Sequence, residues 1–130
     1  MYLIFGNEVI DSSQIAENIE RGSHFKVVTD LTKSTKREDM AAFLIWIDEA
    51  ALELSDEAKD SEEKVDLLMK ACDEIGGKLK GVMPEYSRHR FFAFRYDEAK
   101  AGVEAVVVIA GRDAKSQKLE DVLKRLLRQL

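Results

Sequence analysis

Three short apolar runs near the N-terminus predict β-strands. The runs are Tyr2–Phe5, Val9–Ile10 and Phe25–Asp30. Polar and turn-forming residues bound each of them, as they bound the strands of globular proteins. Between the second and the third run, Asp11–Gln14 has the spacing of a capping box and predicts a short helix that Gly22 would end. The order strand, helix, strand favours a parallel βαβ unit, which would be right-handed.

The central apolar segment is compatible with two structures, of which we favour the helix. Thr35–Glu38 matches a second capping box, and apolar residues recur behind it at helical spacing from Met40 to Leu54. The part from Met40 to Ile47 is apolar at every position, which is also typical of a buried strand. The agreement between the cap and the longer periodic pattern predicts a helix, with a buried strand as the alternative.

The second half of the chain predicts two further helices and three strands. A third capping box, Asp60–Glu63, opens the first of these helices, and Gly76 and Gly77 end it. The last helix has the clearest pattern, because apolar residues recur every three or four positions from Leu119 to Leu130. Three segments predict strands, and the last two, which are joined by a short loop with Gly102, are expected to form a hairpin: Leu79–Met83, Arg88–Tyr96 and Val103–Ala110.

These elements predict a single globular domain over residues 1–130. The expected fold is α/β or α+β, with two layers, a mixed sheet of roughly four to five strands and about four helices. Hydrophobic residues make up 45% of the chain and charged residues 35%, which excludes general disorder. The scarcity of proline, asparagine and glutamine beside abundant Glu, Lys and Arg is typical of proteins from thermophiles.

Composition also narrows the classes of partner. The net charge of −5 argues against nucleic acid as the partner. Cys72 is the only cysteine, so no internal disulfide forms, and with His24 and His89 alone it cannot complete a Cys/His zinc site. We therefore predict no metal and no cofactor. The N-terminus lacks a basic region, and no apolar run approaches the roughly 20 residues that span a bilayer, which predicts a cytoplasmic protein without a membrane partner.

Two polar segments predict a site for a small anion. Segment 30–37 is rich in hydroxyls and cations and would precede the N-terminus of a helix, where free N–H groups favour phosphate or carboxylate. Segment 85–90 places two arginines around a histidine that could move a proton. If the segments are neighbours, they predict binding of a small anion or a nucleotide phosphate. This alternative includes an enzymatic role, for which no residue is assigned as catalytic. The candidate ligands are Thr32, Ser34, Thr35, Arg37, Arg88, His89 and Arg90.

Aromatic residues alternate along the predicted strand 88–96. Phe92, Phe94 and Tyr96 share one parity, so they would lie on one face of a regular strand. The run Arg90–Phe94 resembles the aromatic strand of RRM-type RNA-binding domains, and this resemblance implies stacking on single-stranded RNA. The glycine of that pattern is missing and Arg95 replaces an aliphatic residue, which makes RNA binding the least favoured alternative.

Excess apolar surface and uneven charge predict self-association. Acids dominate residues 48–63 and bases dominate residues 78–95, so opposite patches of two copies could pair. The central segment and the last helical turn carry more apolar surface than one copy would cover. The leading hypothesis is a non-enzymatic, homo-oligomeric regulatory or protein-interaction module, with another protein as a further partner. Its candidate interface residues are Trp46, Ile45, Leu126, Leu127 and Leu130.

Overall fold

The structure is a computed structural model that describes residues 1–52 and 61–130. Within these ranges it contains six strands and four helices. In chain order they are β1 (Tyr2–Phe5), β2 (Glu8–Asp11), α1 (Ser12–Gly22), β3 (Lys26–Asp30), α2 (Thr32–Thr35), β4 (Met40–Asp48), α3 (Ser61–Gly77), β5 (Arg88–Asp97), β6 (Gly102–Ala110) and α4 (Ser116–Gln129). Two 3-10 turns, Glu49–Leu52 and Leu79–Val82, complete the order.

The strands form two antiparallel sheets. β1 and β2 make a separate two-stranded sheet, and the other four strands lie in the order β3-β4-β6-β5. The chain reverses between β1 and β2 at Gly6, whose φ of 64° suits glycine and a tight hairpin turn. Because this turn returns the chain onto β1 at once, β1 pairs with β2 and not with β3. The predicted parallel βαβ unit and the predicted single mixed sheet are therefore wrong.

Helices cover both faces of the four-stranded sheet. One buried cluster joins that sheet to α1, to α3 and to the inner face of the β1–β2 hairpin, through side chains such as Ile19, Leu68 and Leu3. A second cluster joins the opposite face to α4, through Leu119 and Leu126 among others. The protein is an α+β domain, as one of the two predicted classes stated, but it has three layers in place of the predicted two.

The central apolar segment is a strand, so the predicted helix is wrong and the alternative is confirmed. Side chains of β4 alternate between the two clusters: Phe43 and Ile45 lie in one, and Met40 and Ala42 in the other. A central strand that is covered on both faces has no polar side, which explains an apolar run without alternation. Thr35, which we predicted to cap this helix, instead ends α2.

Helical spacing predicted α1, α3 and α4, whereas α2 lies in segment 30–37, which we expected to be a loop. Asp11 caps α1 as expected, because its carboxylate accepts a hydrogen bond from the Ser13 N–H. Helices α3 and α4 and the β5–β6 hairpin are also confirmed. The segment 79–83 forms a 3-10 turn and not a strand, since an apolar run this short does not distinguish the two. Leu54 and Asp60, which we placed in helical patterns, lie outside the described residues. None of the helices that the structure describes is long and apolar enough to cross a bilayer.

Helix α3 holds the edge strand β5 through a half-buried carboxylate. The Asp73 Oδ1 atom accepts a hydrogen bond of 2.7 Å from the Ala93 N–H. Burial raises the pKa of Asp73, and the Ala93 hydrogen bond only partly offsets this effect. The preceding residue, Cys72, is fully buried, and burial, aided by the Asp73 charge, raises the pKa of its thiol to about 12. Cys72 is therefore a core residue, protonated at neutral pH.

Replacing Asp73 with asparagine is expected to stabilise the protein at neutral pH. Since the folded pKa of Asp73 lies above its unfolded value, its contribution to stability is present at low pH and is lost as the pH rises through the folded pKa. The amide keeps an acceptor for the Ala93 N–H but carries no charge. Urea unfolding should show Asp73→Asn gaining over the wild type between about pH 4 and pH 7. A gain that grows towards low pH, or an equal gain in the exposed neighbour variant Glu74→Gln, would contradict this explanation.

Candidate interaction surface

In segment 30–37, the first part of the predicted anion site, the threonine hydroxyls form hydrogen bonds within the protein. The Thr35 hydroxyl, fully buried, donates to the Thr32 carbonyl at 2.8 Å and accepts from the Arg37 N–H at 3.2 Å. The Thr32 hydroxyl is buried too and accepts from the Ala42 N–H. Because these hydroxyls already have partners inside the protein, they are not presented to a ligand. They anchor α2 against the start of β4.

Arg37 and two backbone carbonyls of the same segment also have partners within the protein. Arg37 forms a two-point pair with Asp39, with nitrogen–oxygen distances of 2.8 and 3.0 Å, and this pair lowers the pKa of Asp39. The backbone carbonyls of Ser34 and Thr35 accept hydrogen bonds from Arg125 of α4 at 2.9 and 2.7 Å. The polar character of segment 30–37 thus serves the packing of α2 between β4 and α4.

The second segment is divided among three different contacts. Arg88 donates to the Ser116 hydroxyl at 2.7 Å, and Arg90 pairs with Glu120 at 2.6 Å, so both side chains lie on the α4 face of β5. The His89 Nε2 atom lies 3.0 Å from the carbonyl oxygen of Gly76 on α3, on the opposite face. Strand alternation therefore separates the histidine from the arginines that flank it.

The structure does not bring the two predicted halves of the anion site together. Helix α4 lies between them: Glu120 contacts Arg90 on one side, and Arg125 contacts α2 on the other. Arg37 and Arg88 line separate surface depressions. Among the described residues, no group of three His, Cys, Asp or Glu side chains is placed to hold a metal ion.

The face of the sheet towards α4 is only half covered. Helix α4 crosses the end where β4 begins and β6 ends, and its apolar side chains bury Met40, Ala42, Val108 and Ala110. Further along the same face the rows of side chains continue beyond the helix. Leu44 and Phe92 flank Val106 in one row, and Trp46, Glu104 and Arg95 follow in the next.

The apolar side chains of these outer rows, Leu44, Trp46, Phe92 and Phe94, form a surface that we call the open sheet patch. Phe92 is 46% exposed, and the other three side chains are half-buried. The C-terminal turn of α4 borders the patch, because Leu127 packs in the same cluster as the patch residues Leu44 and Phe94. Leu130 follows Leu127 on the same side of the helix and is 41% exposed.

Charged residues around the patch pair within the protein. The Arg95 guanidinium pairs with Glu104 at 2.7 Å and lies over the Phe94 ring. Lys26, which faces Trp46 across β3 and β4, pairs with Asp48 at 3.7 Å. The Asp48 carboxylate also accepts the indole N–H of Trp46 at 2.8 Å. Among the described residues, these two rim pairs join two cations to two carboxylates.

The five residues predicted at an oligomer interface divide according to strand and helix geometry. Ile45 and Leu126 are fully enclosed within one copy, so their side chains cannot line an interface, which corrects that assignment. Trp46 points to the opposite face from Ile45 and belongs to the open sheet patch. Leu127 packs against the same buried cluster as Leu44 and Phe94, and Leu130 is exposed at the end of the chain segment that follows it. We missed Leu44, because the helix predicted for this segment hides the strand spacing that places it beside Trp46.

A bulge separates the aromatic side chains that we expected on one face of β5. The register shifts between Ala93 and Arg95, so Phe92 and Phe94 face α4. Tyr96 packs in the opposite cluster, where its hydroxyl lies 3.0 Å from Glu49. A continuous three-ring platform for RNA bases is therefore not formed.

The acidic segment 48–63, which we predicted to pair with a second copy, is only partly described. Glu49 pairs with Lys64 of the same copy, and Glu53, Asp56, Glu57 and Asp60 lie outside the described residues.

Comparisons with protein-family models, with curated proteins and with solved structures found no match for this chain.

Proposed function

We propose that the protein is a non-enzymatic interaction module whose copies associate face to face through the open sheet patch. The observation that carries this proposal is the apolar half of a sheet face that α4 leaves uncovered, with Phe92 46% exposed at its edge. Tryptophan, phenylalanine and arginine are the side chains in which the centres of protein interfaces are enriched. Removing such a surface from water contributes about 25 cal/mol for each Å² of apolar area, and the entropic and desolvation costs of association offset part of this gain.

The size of the patch supports a weak complex. The patch spans three strands, β4, β6 and β5, spaced by about 4.8 Å, and two to three rows of side chains give an area of roughly 200–300 Å². Exposed apolar patches of this size on monomers are often functional. A standard interface, however, buries about 800 Å² on each partner, so association through this patch and its rim is expected to be reversible, with a dissociation constant in the micromolar range.

The charge of the rim favours a second copy of the chain as the occupant. An apolar centre bordered by equal numbers of cations and carboxylates is complementary to another surface of the same kind, and two sheets pack well at about 10 Å. A strongly acidic or basic partner, including nucleic acid, gains little from the rim charges that the structure describes as paired with each other. The contacts inside segment 30–37 support no comparable role for an anion there, because the Thr32 and Thr35 hydroxyls both have internal partners.

Introducing a charge into the patch is expected to prevent self-association. Sedimentation velocity between about 5 and 500 μM should show the wild type changing from monomer to dimer. Phe92→Glu should remain monomeric over this range, because a carboxylate would have to be buried without a partner. The matched control is Val9→Glu, at a residue 70% exposed on the outer face of the β1–β2 hairpin.

Each outcome of this comparison decides the proposal. Dimerisation of the wild type and of Val9→Glu, but not of Phe92→Glu, supports association through the open sheet patch. A wild type that remains monomeric at the highest concentration overturns self-association and leaves a different protein as the occupant. If Val9→Glu is monomeric and Phe92→Glu dimerises, the hairpin is the interface and the proposed surface is wrong.

A further inference from the structure

A cleft of about 570 Å³ lies at the opposite end of the sheet from Trp46. It is formed where β5 begins and β6 ends, and its walls include Met83, Pro84, Tyr86 and two arginines, Arg88 and Arg112. Its volume is within the range of about 300–1,000 Å³ that is usual for small-molecule sites. The combination of apolar side chains with a few convergent charged groups is also usual for such sites.

The two arginines of this cleft differ in their ion pairing from the other arginines discussed above. Among the described residues, none of the acidic side chains lies within 4.0 Å of Arg88 or Arg112, whereas Arg37, Arg90 and Arg95 each have one. Arg88 is held in place by hydrogen bonds to the Ser116 hydroxyl and to the Arg112 carbonyl, at 2.7 and 3.5 Å. These bonds occupy only some of the five N–H groups of its guanidinium, and the rest remain available.

Among the described residues that line the cleft, one carboxylate, that of Glu85, faces the two arginines, in a protein whose net charge is −5. The cleft is therefore locally positive. Helix α4 begins next to it, since Ser116 contacts Arg88, and its first turn contains no acidic residue. The partial positive charge of this helix N-terminus adds to that of the arginines.

Tyr86 presents an aromatic ring to the cleft from a strained position. Its φ of 63° lies in the left-handed region, which a tyrosine rarely adopts. The residue is 69% exposed, and the Arg112 guanidinium lies 5.7 Å from the centre of its ring. The ring and the guanidinium are flat surfaces on which another planar group can stack.

We propose that this cleft binds a small aromatic anion, that is, a free molecule in which a phosphate or carboxylate is attached to a planar ring. The guanidinium groups of Arg88 and Arg112 bind the anionic group. Tyr86 and the apolar wall formed by Met83 and Pro84 contact the ring. This inference does not rest on self-association, because the cleft and the open sheet patch lie at opposite ends of the sheet.

Phenyl phosphate and inorganic phosphate are suitable probes for an NMR titration of the whole chain. Phenyl phosphate should shift the amide signals of residues 85–88 and 112 and bind at least about ten-fold more tightly than inorganic phosphate. Arg112→Gln should weaken its binding about ten-fold or more. The control is Arg128→Gln, twelve residues along α4 from Ser116 and hence about 18 Å away along its axis; this variant should bind as the wild type does.

Tyr86→Gly separates a binding role of the tyrosine from a structural one. Glycine tolerates the positive φ, so this variant should melt no lower than the wild type while losing the preference for phenyl phosphate over inorganic phosphate. The proposal is overturned if the two probes bind equally to the wild type, or if the Arg112 and Arg128 variants bind alike. Retention of the preference in Tyr86→Gly also overturns it. Tighter binding of a short phosphotyrosine peptide than of phenyl phosphate would contradict a free small molecule as the ligand.

Discussion

Replacing Gly76 with alanine is expected to lower the free energy of unfolding by about 2–3 kcal/mol. Gly76 is buried where α3 crosses β5, and a Cβ atom at this position would lie 2.2 Å from the Phe91 ring. The ring cannot move away easily, because it packs against Phe25 with a distance of 5.2 Å between the ring centres. Either α3 must shift or the Phe91 ring must leave its place in the core.

The adjacent glycine supplies the control for this substitution. No atom lies within 4 Å of a Cβ added at Gly77, so Gly77→Ala should be neutral or should stabilise the protein by up to about 1 kcal/mol through the better helix propensity of alanine. Urea unfolding of both variants at one pH measures the difference. Equal stabilities of the two variants would show that the close approach of α3 to β5 does not contribute to stability as described.

Alanine at Ile45 and alanine at Trp46 are expected to have different effects, although the residues are neighbours in β4. Ile45 is fully buried in the cluster that joins the sheet to α1 and α3, so Ile45→Ala should lower the free energy of unfolding by about 2–5 kcal/mol. Trp46 is half-buried in the open sheet patch. Its replacement should cost less stability but should abolish dimer formation, because it removes the largest side chain of the proposed interface.

Unfolding curves and sedimentation of both variants test this pair. Ile45→Ala should still dimerise under conditions in which it remains folded, whereas Trp46→Ala should sediment as a monomer at concentrations where the wild type is a dimer. Unchanged dimerisation of Trp46→Ala would exclude a central role for the patch. A small loss of stability in Ile45→Ala would contradict its position in the core.

The amphipathic elements could be predicted from the sequence because each has one polar side. The apolar residues of α4 recur at helical spacing between charged positions, and the structure buries Leu119, Val122 and Leu126 as this spacing predicts. Strand β4 could not be identified in this way. Both faces of β4 are covered, so its sequence has no polar side. In addition, Thr35 has the residue type and spacing of a helix N-cap before this segment, but in the structure it is the last residue of α2.

Long-range packing explains why the predicted anion site was not assembled. Sequence spacing placed Arg88, His89 and Arg90 together, but strand alternation sends the histidine to the α3 face. The partner that does lie beside Arg88 is Arg112, which is 24 residues away in sequence and is brought near by the β5–β6 pairing. Similarly, a one-residue bulge in β5 moves Tyr96 away from Phe92 and Phe94, and no local pattern marks that bulge.

Trp46 is the only tryptophan of the chain and lies in the open sheet patch, so its fluorescence reports on the proposed interface directly. The decisive measurement is iodide quenching of Trp46 together with the solution mass, over a range of protein concentrations. As the mass rises from the 14.7 kDa of one chain towards twice that value, quenching should decrease, because the indole becomes covered by the second copy. A mass that stays at one chain, or one that doubles while Trp46 remains equally quenched, would contradict self-association through this surface.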